Sequence, residues 1–570
     1  MRYPSTEKSN FYRDINQIYK KYKIPKTAST IEKYCFPKSF QLQIPQQFLS
    51  QYINPRTPYR GLLVYHSIGS GKTCTAISIA LNFIGKTHIL IVLPASLIGG
   101  FRSELRSRCG GDRYISSSDR TKLSTLDPNS TEYRSIIARS DLKIDQDFDI
   151  YSYNRFSGMI KKGIKIQLDN TLMIIDEVHN MVSETGTYYQ QMYDLVNDAP
   201  QSFRLVIMTA TPIFDKPSEI ALTMNLLRRD KQLPTGGEFR DQFIDVTYNE
   251  MGPRYEAINL DLFKSFVKGY VSYYRGAPPY TFPKKSMHYV PITMSKKQLD
   301  LYKAVMLLEY KGVDFKDYSE TTIPKNFFIG VRMISNIVYP NNKIRKEGFD
   351  SMKDFSLEKM KILSPKFVEI VKKIESDDGL SFVYSNFKGY HGIGGLVEYL
   401  KARGYRDYLI AGAGKKRYAV WSGDVSHEDR EKIKAVFNNR SNIDGSSIKI
   451  VLGSPSIKEG VTLLRVRQVH LMDPYWNWSR MDQIIGRAIR FCSHKDVAAK
   501  RRVVDVYMYL ATHPSLKVSI DSYIVRMADN KRSLNEQFDM ALKEAAIDCE
   551  LFHNANVYPG EKNIVCSGSS

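Results

Sequence analysis

Cysteine is scarce and scattered: Cys35, Cys74, Cys109, Cys492, Cys549 and Cys566 are the only six, and no two form a C-x-x-C pair. That distribution argues against a zinc site or a disulfide framework and predicts a reducing compartment. Acidic side chains are in deficit, 60 against 82 Lys and Arg, which leaves a net charge of +22. A surplus of this sign suits a polyanionic partner, because each neutralised phosphate releases counterions. Long apolar runs are missing too. The most apolar stretch, THILIVLPASLIGGF, is broken by Pro94 and by Gly99–Gly100, so no bilayer span is expected. The start, MRYPSTEKSN, has no apolar core of a secretory signal. These absences predict a soluble intracellular protein without a membrane partner.

What is present is alternation. Short β-rich runs (GLLVY, HILIVLP, FDIYSY, TLMIIDE, RLVIMTA) recur between stretches long enough for crossover helices. This pattern predicts a parallel sheet with helices on both faces over residues 41–240. A second alternating block, LSFVYSNF to RRVVDVYMYL, is expected over 361–510. Residues 1–40 read as a basic extension and 241–360 as a helical middle. Residues 511–570 read as a helical extension, with Ile520, Tyr523, Ile524, Met527, Leu534, Phe538, Ala541, Leu542 and Ala545 at helical spacing and packed on the second block. At 570 residues the chain is too long for one core.

The segment HSIGSGKT, residues 66–73, lies between an apolar run and a helix-forming stretch. Strand, glycine loop and helix is the context of a phosphate cradle. In this reading the backbone of Ser67, Ile68, Gly69, Ser70 and Gly71 faces phosphate oxygens, and the helix N-terminus adds partial positive charge. Lys72 reaches the β- and γ-phosphates of ATP, and Thr73 binds Mg²⁺. His66 stands where the usual spacing has a glycine. TLMIIDEVHN then ends a strand in two carboxylates. Asp176 suits the magnesium shell, and Glu177 suits orientation and deprotonation of the attacking water. A look-alike, AGAGKKR at 411–417, lacks the Ser or Thr for magnesium and is read as a basic loop.

The ordered set GSGKT, LPASLIGGF, DEVH, TATP, KEGVTL and QIIGRAIR resembles the motif series of superfamily-two helicases. The resemblance implies two tandem RecA-like domains that sandwich ATP, and a first P-loop position free to vary. It implies an adenine-reading role for Gln46, with Gln47 as rival. It implies coupling roles for His179, Thr209, Thr211 and Glu459, a nucleotide contact at Gly460, and entry of Gln483, Arg487 and Arg490 into the ATP site from the second domain. A narrower likeness joins TATPIFDKPSEI and DPYWNWSRMDQIIGRAIR to the Swi/Snf-type branch. GYVSYYRGA, the KEGVTLLRVRQVHLMDPYWNW run and LKEAAIDC resemble helicase-like ATPases of large cytoplasmic DNA viruses. That group includes viral nucleoside triphosphatase I and the small subunit of the poxvirus-type early transcription factor. It implies a DNA-dependent ATPase, with DNA ahead of RNA as polymer, working beside a viral RNA polymerase or a transcription-factor subunit. The implied location is the host cytoplasm, at the viral factory, or the virion. A promoter-binding factor subunit and an RNA helicase are the other readings.

Nucleic-acid contacts are expected from LPASLIGGFR, YSYNRF and SNFKGYHGIGG, the last offering exposed N–H groups at a helix start. Trp476 and Trp478 are read as packing residues.

Overall fold

The computed structural model describes residues 3–26, 31–36, 40–67, 69–126, 130–182, 186–249, 252–310, 327–458, 461–557 and 561–568. The chain divides into two compact units, residues 1–278 with 533–570, and residues 279–532.

The first unit contains strands β1 (Gly61–His66), β2 (His88–Leu93), β3 (Asp149–Ser152), β4 (Thr171–Asp176), β5 (Arg204–Thr209), the hairpin β6 (Ile244–Asn249) and β7 (Gly252–Ala257), and β8 (Val271–Tyr274). Its main sheet runs β3-β2-β4-β5-β1-β8, and every pairing is parallel. Both faces are buried, as the unbroken apolar runs require. Leu63, Tyr65, Leu90, Met173, Ile175 and Ile207 enter one core, and their neighbours Leu62, Val64, Ile91, Ile174, Val206 and Met208 enter the other. This is the period-two alternation of a pleated strand.

Both ends of the chain help close these cores. Helix Phe11–Ile18 places Phe11, Tyr12 and Ile15 in the second core beside Phe48 and Leu49. The N-terminal region is thus part of the first unit and not a separate basic extension. Leu534, Phe538, Ala541, Leu542 and Ala545 enter the first core. All but Ala545 belong to one helix, Ile520–Glu544, whose start packs Ile520 and Ile524 in a core of the second unit. Packing of the whole C-terminal segment on the second block is therefore corrected: its latter half belongs to the first unit.

The second unit contains β9 (Lys284–Thr293), β10 (Leu380–Tyr384), β11 (Arg406–Asp407), β12 (Arg417–Trp421), β13 (Ile450–Gly453), β14 (Val466–Leu471) and β15 (Val503–Thr512). The order is β11-β12-β13-β10-β14-β15-β9, again all parallel. Four strands, β6 to β9, fall in the stretch expected to be helical: β6 and β7 form the hairpin, and β8 and β9 each complete a sheet edge. Trp476 and Trp478 are buried, packed as expected.

The expectation of no disulfide framework is also corrected. Cys74 is bonded to Cys109, and Cys549 to Cys566. The partners lie 35 and 17 residues apart, so linear spacing carries no trace of the pairing that the fold creates. No helix among the described residues is long and apolar enough to cross a membrane.

Candidate nucleotide site

In a parallel sheet ligands gather beyond the carboxyl ends of the strands. There β1 runs into the glycine loop, β4 into the carboxylate pair and β5 into Thr209. Ile68 lies outside the described residues. Gly69 and Gly71 have φ of 86° and 77°, the left-handed region open to glycine without strain. Gly71 precedes helix Lys72–Ala80 and has a second constraint. A Cβ there would lie 2.7 Å from Gln46 Nε2. The helix start brings free N–H groups and positive partial charge to the loop, and Lys72 and Thr73 occupy its first turn.

Gln46 is buried and donates from Nε2 to the Gly71 carbonyl at 3.2 Å, while its Oε1 accepts the Gln43 N–H. Gln47 is exposed and donates to the Leu42 carbonyl instead. Of the two rivals, only Gln46 touches the loop. Ser70 Oγ is buried and has no hydrogen-bond partner among the described residues. An orphaned hydroxyl inside a glycine loop fits a polar ligand such as a triphosphate, since such a group is otherwise costly to bury.

Asp176 ends β4, and the next residue, Glu177, turns the chain sharply at φ 53°. The turn is held by Asn180, whose backbone N–H donates to the Glu177 carbonyl, and by Tyr153, whose hydroxyl donates to the Asp176 carbonyl. Lys72 Nζ lies 3.7 Å from Glu177 Oε1. Burial, and then the adjacent Glu177 charge, push the Asp176 carboxyl up to about 7, against the pull of Lys72 and the Glu177 N–H. A buried carboxylate whose charge is only partly compensated suits a hard divalent cation, and the Thr73 hydroxyl on the helix start is a further oxygen donor of the kind such an ion takes.

From Glu177 a polar chain runs on. His179 Nδ1 lies 3.4 Å from Glu177 Oε2, 3.4 Å from Thr209 Oγ1 and 3.3 Å from Thr211 Oγ1. The Thr211 N–H donates to Thr209 Oγ1 at 3.0 Å, and the imidazole stacks on Phe214 at 5.2 Å. Glu219 accepts the N–H groups of Phe214 and Asp215, fixing the segment after TATP, and burial raises its carboxyl to about 7. Tyr153, Phe214 and Glu219 were not singled out from the sequence. Glu219 lies within TATPIFDKPSEI as the first residue of its helix, and no local motif marks it.

The remaining candidates belong to the second unit. Gln483 lies on helix Trp478–Ile485, and Arg487 and Arg490 lie in the turn that follows. The Arg487 carbonyl accepts the Leu463 N–H, and the Arg490 N–H donates to Ser493 Oγ. QIIGRAIR is therefore a helix end followed by a held turn. Glu459 and Gly460 lie outside the described residues. At SNFKGYHGIGG the expected exposed N–H groups are corrected: those of Gly392, Ile393 and Gly394 donate to Gly389, Phe387 and Lys388 carbonyls. A Cβ at Gly392 would sit 1.8 Å from the Phe387 carbonyl oxygen, so that glycine serves a tight turn.

A parallel sheet with its polar residues along one carboxyl edge, joined in one chain to a second such sheet, is the tandem RecA-like architecture of nucleoside-triphosphate-driven helicases. Residues 366–492 match the model for the helicase conserved C-terminal domain, and 19–214 match that for the res subunit of type III restriction enzymes. A protein of Acanthamoeba polyphaga mimivirus named as an ATP-dependent RNA helicase is 56% identical over 99% of both chains. A second mimivirus protein of similar name is 27% identical, over 95% of this chain and 78% of its own. The termination factor NPH-I homolog of African swine fever virus is 25% identical, over 86% of this chain and 76% of its own. The chain belongs to the superfamily-two helicases of large DNA viruses and is an ATP-hydrolysing enzyme of that family.

Proposed function

We propose that this ATPase is a DNA-dependent translocase that works in viral transcription in the host cytoplasm. The observation that carries the reading is the contact chain Lys72–Glu177–His179–Thr209/Thr211, which ties the phosphate-binding lysine to the TATP segment. A change at the nucleotide is thereby passed to a segment that the family resemblance assigns to nucleic-acid grip.

In this proposal Gln46 reads adenine, Lys72 holds the β- and γ-phosphates, and Glu177 orients a water and takes its proton. Magnesium held by Thr73 and Asp176 would neutralise phosphate charge. Gln483, Arg487 and Arg490 supply the further donors that the developing γ-phosphate charge needs. DNA is favoured over RNA by QIIGRAIR, which begins with Gln where the DEAD-box group has HRIGR, and by DEVH in place of DEAD. A viral RNA polymerase or a transcription-factor subunit is the proposed partner, and packaging in the virion is consistent with that role. The competing polymer is RNA, favoured by the name of the 56%-identical relative.

ATP hydrolysis measured in parallel with no polymer, single-stranded DNA, duplex DNA and RNA tests the choice. The DNA reading predicts the largest stimulation by duplex DNA. Stimulation by RNA alone transfers the proposal to RNA unwinding.

A further inference from the structure

Two quoted sequence segments, GYVSYYRGA and LKEAAIDC, have no part in the chemistry above, yet the fold brings them together beneath the nucleotide loop. His66, Ser272 and Asp548 are each fully buried. His66 Nε2 lies 3.0 Å from Ser272 Oγ, and the Ser272 hydroxyl donates to Asp548 Oδ2. A hydroxyl carries one proton, so the bond to His66 must be donated by the imidazole Nε2–H. Burial, with the charge of Lys72 added, lowers the His66 pKa to about 3, so the ring is neutral.

The surrounding backbone follows the same route. β8 pairs with β1 in the register His66↔Tyr274, and the Ser67 N–H, first of the loop, donates to the Tyr274 carbonyl at 3.0 Å. Gly276 runs against Ser70: a Cβ there would lie 3.4 Å from Ser70 Cβ. β8 is held from its other side by the C-terminal segment. Asp548 Oδ1 accepts the Tyr273 N–H at 2.9 Å, and the Ile547 N–H donates to the Val271 carbonyl at 2.8 Å. Asn556 accepts the Arg275 N–H and donates to the Tyr273 carbonyl. The Cys549–Cys566 disulfide closes the segment just after Asp548.

We propose that the C-terminal segment 547–556 positions the nucleotide loop through the buried connection Asp548–Ser272–His66, with Asp548 a positioning residue of the ATP site. The usual glycine at position 66 would leave the root of the loop without a side-chain anchor. Here the imidazole supplies one, and a carboxylate from the far end of the chain orients it. The inference rests on the assignment of the Lys72 loop to ATP.

The test is a double-mutant cycle in the full chain, read as binding of a fluorescent ADP analogue with magnesium, with thermal midpoints measured alongside. His66→Ala and Asp548→Asn are each expected to weaken binding about tenfold. The double variant is expected to lose about the same tenfold, since both changes cut one connection. A loss near a hundredfold in the double variant overturns the proposal, because it shows independent effects. So does unchanged binding in the single variants with lowered midpoints, which is the signature of a merely structural tie. If Asp548→Asn does not fold, Ser272→Ala replaces it in the same cycle with the same outcomes. Lys72→Ala separates the two ideas: wild-type binding that survives it removes the loop assignment, whereas binding lost there with an additive cycle removes only the positioning role.

Discussion

Gln46 and Glu219 show how much a single side chain decides here. Gln46 is held on both ends, by the Gln43 N–H and by the Gly71 carbonyl, so its position is fixed relative to the loop. Gln46→Ala is expected to raise the KM for ATP about tenfold and to erase discrimination against GTP, because a lost directional hydrogen bond costs on the order of 1–2 kcal/mol. Gln47→Ala is expected to change neither, and comparative ATP and GTP kinetics check both. Glu219 carries a pH signature. Its folded carboxyl is raised to about 7, above the ordinary range of the unfolded chain, so its protonated form contributes stability at low pH that is lost as pH rises through 7. Glu219→Gln is expected to remove a decline on the order of 2 kcal/mol between pH 5 and 8. Denaturant midpoints across that range, wild type against variant, are the measurement, and an unchanged slope contradicts the assignment.

Among elements, central strands and edge strands differ in what the sequence reveals. TLMIID and RLVIMT are apolar on both faces because both are covered, and that continuity marks them in the sequence. Strand β9, KKSMHYVPIT, is a sheet edge with exposed lysines and Pro291, the protected form an edge takes. It lacks the apolar run, and so it was expected as part of a helical stretch. β8 has only four residues, and its place is set by partners distant in the chain, β1 and the segment after Ala545. The nucleotide loop and the carboxylate pair were legible because their chemistry is local to a few consecutive residues. The His66–Ser272–Asp548 connection was not, since 206 and 276 residues separate its members. The disulfides were hidden for the same reason. Removing the Cys549–Cys566 pair by double substitution to alanine is expected to cost about 2–4 kcal/mol of stability. A thermal midpoint insensitive to both that change and to reductant contradicts a structural role for the bond.

At the scale of the whole molecule, the arginines of QIIGRAIR are proposed as donors to the developing phosphate charge. Arg490→Ala is expected to lower the ATP hydrolysis rate about a hundredfold or more while nucleotide affinity changes little, as removal of a donor to developing phosphate charge does. A wild-type rate removes Arg490 from that role. The +22 charge adds a second expectation. Polymer-stimulated hydrolysis should fall steeply between 50 and 200 mM salt, roughly as counterion release dictates, while hydrolysis without polymer changes little.

The most direct measurement is phosphate release from ATP by Glu177→Gln at saturating nucleic acid, with nucleotide binding followed in the same preparation. Binding close to wild type is expected, with turnover slower by about a hundredfold or more, because the water loses the group that orients and deprotonates it. Turnover equal to wild type would contradict the claim that the carboxylate pair at the tip of β4 performs the hydrolysis.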